Sequence, residues 1–121
     1  MAKRSKLNTD KLHSCIIEAI SEKKGNNLIS LELGNLPNAI CQHFIICHAD
    51  STTQVAAIAE NIEERVEKEL EEKVWQKGGY DNSIWVVLDY VDIVVHIFQT
   101  EWRQFYKLED LWADAKRTNF D

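Results

Sequence analysis

Two short β-branched runs set what this chain can become. They are Trp85-Val86-Val87-Leu88 and Ile93-Val94-Val95-His96-Ile97-Phe98, separated by the polar break Asp89-Tyr90-Val91-Asp92. Runs this short and this rich in β-branched residues read as strands, and so tight a connection makes them a pair. Neither run alternates polar with apolar, so both faces of the pair must be covered. The rest of the chain has to supply that cover on two sides.

Two helical stripes are available for one side. Leu12, Cys15, Ile16, Ala19 and Ile20 fall at helical spacing after a start at Asn8 or Thr9, either of which can cap. Lys23 and Lys24 suit the C-terminal end of the dipole, and Gly25 is placed to take the left-handed closing conformation. The second helix starts at Ser51, with Gln54 at the capping-box spacing. Its stripe is Val55, Ile58, Ala59, Ile62, Val66 and Leu70, and its other face is mostly glutamate with Arg65 and Lys68.

Between the helices, Leu28–Leu33 alternates and reads as a half-buried strand nearer a sheet edge, with Ile29, Leu31 and Leu33 inward and Ser30 and Glu32 outward. Residues 34–38 make a loop, and Phe44–Cys47 is a further strand that is apolar on both faces. Gly78-Gly79 breaks the chain before the central pair. After Thr100, a cap with Glu101 in the first turn, the period turns helical: Trp102, Phe105 and Tyr106 share one face, while Leu111 and Trp112 are assigned to packing. Helix, strand, strand, helix, strand, strand, helix implies an α/β fold, a mixed β-sheet flanked by helices. Residues 1–121 are expected to form one domain with flexible tails at 1–7 and 114–121.

Composition narrows the function classes. A net charge of −6 argues against gripping nucleic acid through phosphates and favours a basic protein partner, so little direct nucleic acid binding is expected. No apolar run approaches the ~20 residues that span a bilayer. The start, MAKRSKLNTDKL, has no apolar core of a secretory signal. Three cysteines, Cys15, Cys41 and Cys47, fit free thiols in a reducing compartment and hence the cytoplasm. Cys15 lies inside an apolar stripe and reads as core.

Four patterns bear on chemistry. Cys41, His43, Cys47 and His48 resemble metal ligands in type, yet six residues of strand place the cysteines about 20 Å apart, far beyond a shared ion. Asp89 and Asp92 could hold Mg²⁺ for nucleotidyl transfer, the alternative reading; turn chemistry explains the same residues, and no Gly-rich phosphate loop accompanies them. No G-x-S-x-G nucleophile is present. Trp75, Trp85, Tyr90, Trp102, Phe105, Tyr106 and Trp112 crowd the second half, and any left on the surface would anchor a protein interface. The residues thus point to a binding protein with neither cofactor nor metal, and self-association to a homodimer in the free state is a further expectation.

The second half also resembles a known family. Trp85-Val-Val-Leu-Asp89-Tyr90, Asp92-Ile-Val-Val-His96-Ile-Phe98, and then Glu101, Arg103, Tyr106, Leu108-Glu109 and Leu111-Trp112 are similar to the Iojap family, the ribosomal silencing factors. Phe44-Ile-Ile followed by Ser51 and Gln54-Val55 also fits. The resemblance covers about residues 8–114. It departs at Gln42-His43, where the family has an acid, at Ala49-Asp50, where it often has Gly, and at Val91, where it has the turn glycine.

The resemblance implies a nucleotidyltransferase-like superfold without catalytic acids. It also implies a protein that binds the large ribosomal subunit through its protein fourteen, blocks joining of the subunits, and lowers translation when nutrients are scarce. Trp85, Asp89, Tyr90, Asp92, Val94, His96, Arg103 and Tyr106 are the expected contact residues, with the two carboxylates offered to lysines or arginines of the partner.

Overall fold

The computed structural model describes residues 4–37 and 39–120. Ten elements follow in order: α1 (Lys6–Glu22), β1 (Asn26–Glu32), β2 (His43–Ala49), α2 (Thr52–Leu70), β3 (Gln76–Gly78), β4 (Trp85–Asp89), β5 (Ile93–Gln99), α3 (Thr100–Tyr106), α4 (Leu108–Leu111) and β6 (Lys116–Asn119). The six strands form one mixed sheet in the order β3-β4-β5-β2-β1-β6. β4 and β5 pair antiparallel, as the two β-branched runs predict, and β5 runs parallel to β2 with every residue from His43 to Ala49 in register.

Period-two alternation divides the strands between two apolar layers. Ile45, Cys47, Val86, Leu88, Ile93, Val95 and Ile97 pack with the stripes of α1 and α2 on one face. On the other, Ile29, Leu31, Phe44, Ile46 and Phe98 lie beneath Leu36, Trp102, Leu108 and Trp112. Strands apolar on both sides are thus explained by cover on both sides.

Capping shows how local chemistry sets the ends. Ser51 caps α2 by accepting the Gln54 backbone N–H at 3.1 Å, as predicted. The Gln54 amide does not return to the cap; its Nε2 donates to the Lys23 carbonyl and ties α2 to the end of α1. Helix α1 starts earlier than Asn8 or Thr9. Its cap is Ser5, which accepts from Asn8 N, so residues 4–7 are not a flexible tail; residues 1–3 lie outside the described residues. Thr100 does not cap α3 either: it is the first helical residue, and its hydroxyl donates to Asp50 Oδ1 at 2.7 Å.

Lys24, not Gly25, takes the left-handed conformation that ends α1 (φ 60°). Gly25 is needed for space, because a Cβ there would sit 2.5 Å from Ile20 Cγ2.

Two further corrections concern the sheet edges. Residues 116–119 do not fray. They form β6, which pairs antiparallel with β1 from Ile29 to Glu32. β1 is therefore interior, and Ser30, expected to face solvent, is buried with its hydroxyl 2.8 Å from His13 Nε2. At the other edge the residues before Gly79 form β3, which adds a short strand to β4.

The β4–β5 turn carries visible strain. Asp92 N–H bonds the Tyr90 carbonyl across Val91 at 3.1 Å, a γ-turn pattern, with Val91 at φ 81°. A β-branched residue there costs about 1–3 kcal/mol, against about 0.5–1 kcal/mol for the lost entropy of a glycine. Val91→Gly is expected to stabilise the fold by about 1 kcal/mol, a rise of about 3–5 °C in thermal melting. An unchanged or lower Tm would show that the turn stores no such strain.

Candidate functional site

The eight predicted contact residues fall into three places. Asp89, Tyr90 and Asp92 stand at the β4–β5 turn. Tyr90 is 1% exposed and belongs to the layer under α1 and α2, so it is core and not contact surface. Burial pushes its phenol well above the ordinary range. Asp89 Oδ1 accepts the Val91 N–H at 2.8 Å, which is turn chemistry. Asp92 is ion-paired with Arg4 and accepts from the Thr9 hydroxyl at 2.6 Å. Arg4 also pairs with Glu72 and donates to the Tyr90 carbonyl. The Asp92 carboxylate, expected to meet a partner's cation, is engaged within the chain and holds its N-terminal segment.

Trp85, Val94, His96 and Tyr106 come together on the face away from α1 and α2. Trp85 and Phe98 are register partners with stacked rings 4.9 Å apart. Tyr106 lies against Trp85 at 4.8 Å and against Trp102 at 6.0 Å, and Phe105 meets Trp102 edge-on at 5.7 Å. The result is an aromatic shelf with half-buried Trp85 and Trp102 as its base and Tyr106 (44% exposed) and Phe105 (69% exposed) as its rim.

His96 is the brace of this shelf and is itself buried, so it is not a contact residue. Its Nδ1 accepts from Trp85 Nε1 at 3.1 Å, which assigns the ring proton to Nε2 and fixes the indole orientation. The Phe44 ring closes on it at 4.6 Å. Without a charged neighbour, burial alone lowers its pKa to about 4.

Arg103 occupies the third place. It is 6% exposed, and so it too is interior. Nε and Nη2 donate to Glu109 Oε2 at 3.2 and 2.9 Å, and Nη1 donates to the Asn27 carbonyl at 2.7 Å and to His48 Nδ1 at 3.0 Å. This strut ties α3 and α4 to the start of β1, and so fixes the helix that carries the shelf. Phe105 and Leu111 were not among the predicted contacts. Helical period groups Phe105 with Tyr106, but cannot say which side of that face meets solvent. Leu111, assigned to packing, is 74% exposed, whereas Trp112 does pack, 5.9 Å from the Phe44 ring.

The side chains of Cys41 and Cys47 belong to opposite apolar layers, and His48 is bonded to Arg103. Among the described residues no group of three or more His, Cys, Asp or Glu is placed to hold a metal ion. No described helix is long and apolar enough to cross a membrane.

Fold and site together define the class: a small mixed α/β domain with two helices on one sheet face and an aromatic shelf on the other. A family model described as "Ribosomal silencing factor during starvation" matches residues 6–121. A ribosomal silencing factor from Halalkalibacterium halodurans is 33% identical over 109 residues, covering 90% of this chain and 92% of that protein. The chloroplast Iojap protein of Zea mays is 40% identical over 72 residues, which are 60% of this chain and 31% of that one. A crystal structure of a Chromobacterium violaceum protein superposes with a TM-score of 0.80 at 30% identity, covering 86% of this chain and 85% of that one. The chain belongs to the ribosomal silencing factor family.

The buried His96 has a measurable consequence. Its folded pKa near 4 lies below the unfolded value of about 6.5, so between them only the unfolded state binds the proton. Stability therefore rises with pH across that window and is complete above it. His13 and His43, also lowered by burial, act with the same sign. Urea unfolding at about pH 4.5 and about pH 7.5 is expected to differ by about 2.5 kcal/mol from His96 alone, and His96→Phe to lose that share. An equal pH dependence in both proteins would remove His96 from the account.

Proposed function

We propose that this chain silences translation by seating its aromatic shelf on protein fourteen of the large ribosomal subunit, in the cytoplasm, where its bulk blocks joining of the small subunit. Family membership supports a ribosome-associated silencer. The observation that carries the contact assignment is the exposed pair Phe105 and Tyr106, set on half-buried Trp85 and Trp102. Large aromatic rings held rigid at a surface lose little entropy on binding and dominate interface energetics. A net charge of −6 favours approach to a basic ribosomal protein. The chain acts in this reading by occupancy, not by catalysis, and silencing serves conditions of scarce nutrients.

The experiment is sucrose-gradient sedimentation of the protein with separated subunits, followed by a subunit-joining assay. Wild type is expected to travel with the large subunit alone and to reduce joined ribosomes. Phe105→Ala with Tyr106→Ala should weaken that association by about 10–100-fold, the range for loss of central aromatic anchors, with the native fold retained by circular dichroism and a melting temperature lowered by the lost ring contacts of Tyr106. Wild-type protein left at the top of the gradient would overturn the proposal. Full association of the double variant would move the contact off the shelf.

A further inference from the structure

We propose that the cleft between α3, the start of β1 and β6 seats a phosphodiester group of large-subunit RNA, an inference that rests on the ribosome-binding reading above. The cleft has a volume of about 350 Å³, and Asn27, His48, Arg103, Gln104, Lys107 and Arg117 line it. Charge is distributed unevenly over this acidic chain. Arg4, Arg65, Lys73, Lys77 and Arg103 each pair with a carboxylate. Among the described residues several lysines stand outside the ion pairs, as Lys107 and Arg117 do, but these two line one cavity together.

Glu109 and Asp110 also border the cleft. Glu109 is neutralised by Arg103 at 2.9 Å, and Asp110 is exposed to solvent. The acidic face of α2 belongs to the opposite side of the sheet, so it does not oppose a local positive potential here.

The cleft is also rigid, which lowers the cost of ordering it around an anion. Arg103 forms a fixed, buried wall through its bonds to Glu109, Asn27 and His48. Lys107 closes α3 in the left-handed conformation (φ 47°) with its N–H on the Arg103 carbonyl. Arg117 is part of β6, its register fixed opposite Leu31, and its Nε bonds Asn119 Oδ1 at 3.2 Å. Two cations with the amides of Gln104 and Asn27 offer the mix of charged and neutral donors that positions a phosphate. Lys107 directly follows Tyr106, so a protein seated on the shelf would bring neighbouring RNA to this corner. Free RNA would bind weakly, because the rest of the chain repels it.

The test compares wild type with Lys107→Gln/Arg117→Gln, and with the charge-conserving Lys107→Arg/Arg117→Lys. Each is titrated against purified large subunits over a range of KCl and, separately, against isolated protein fourteen. Neutralisation is expected to lower subunit affinity several-fold and to reduce the salt slope of log K by about 0.7–0.9, the value for one neutralised phosphate. Affinity for isolated protein fourteen should be unchanged, and the charge-conserving variant should retain the wild-type slope. An unchanged slope on subunits, or an equal loss on isolated protein fourteen, overturns the phosphate site. If wild type binds neither subunits nor protein fourteen, the ribosome-binding reading fails first, and that outcome is visible without any variant.

Discussion

The parallel pairing of β2 with β5 is the contact on which the rest of the molecule depends. Strands that pair in parallel cannot be joined by a tight turn, so the chain must leave the sheet and return. That excursion is α2 with β3 and β4, and β5 closes back onto β2 over seven residues. Both strands are then buried on both faces, which demands α1 and α2 on one side and α3, α4 and the loop after β1 on the other. Polar residues on these strands are held inside. His48 is met by Arg103 and His96 Nδ1 by Trp85, while His96 Nε2 and His43 Nδ1 are buried without a hydrogen-bond partner among the described residues.

The two sides of the sheet have become chemically different. The α1–α2 side ends in an acidic, ion-paired helix face of ordinary surface character, where Arg65 bridges Glu18 and Glu69. The other side is covered by two short helices, and short helices leave aromatic rims uncovered. Buried polar groups there act through what they hold. Arg103 anchors the helix, His96 orients the indole, and the exposed rings inherit their geometry from both. Such supporting residues belong to a binding surface without touching anything bound to it.

Much of the fold was legible in the residues. Unbroken β-branched runs declare burial on two faces, and the stripes of α1 and α2 recur at helical period with Ser51 as an unambiguous start. What escaped had weak local signals. β3 and β6 are short and polar, and they exist because neighbouring strands offer open edges, not because their own residues favour extension. The burial of the expected contact residues was less legible. The family resemblance put Tyr90, His96 and Arg103 in one signature without revealing that all three are buried. Residues that recur in a signature include those that build a surface as well as those that form it. Asp92 was misread for another reason: its counter-ion, Arg4, lies almost at the other end of the chain, and no local pattern connects them.

The pairing of β6 with β1 has a consequence for synthesis. β1 is made well before β6, the strand that covers its outer edge. While the intervening chain is being translated, the backbone groups of Leu28, Ser30 and Glu32 have no partner on that side. The native sheet is therefore completed only when residues 116–119 reach β1. A chain cut short before residue 116 would carry nearly the whole core and still present a bare, apolar edge to the next such chain it met.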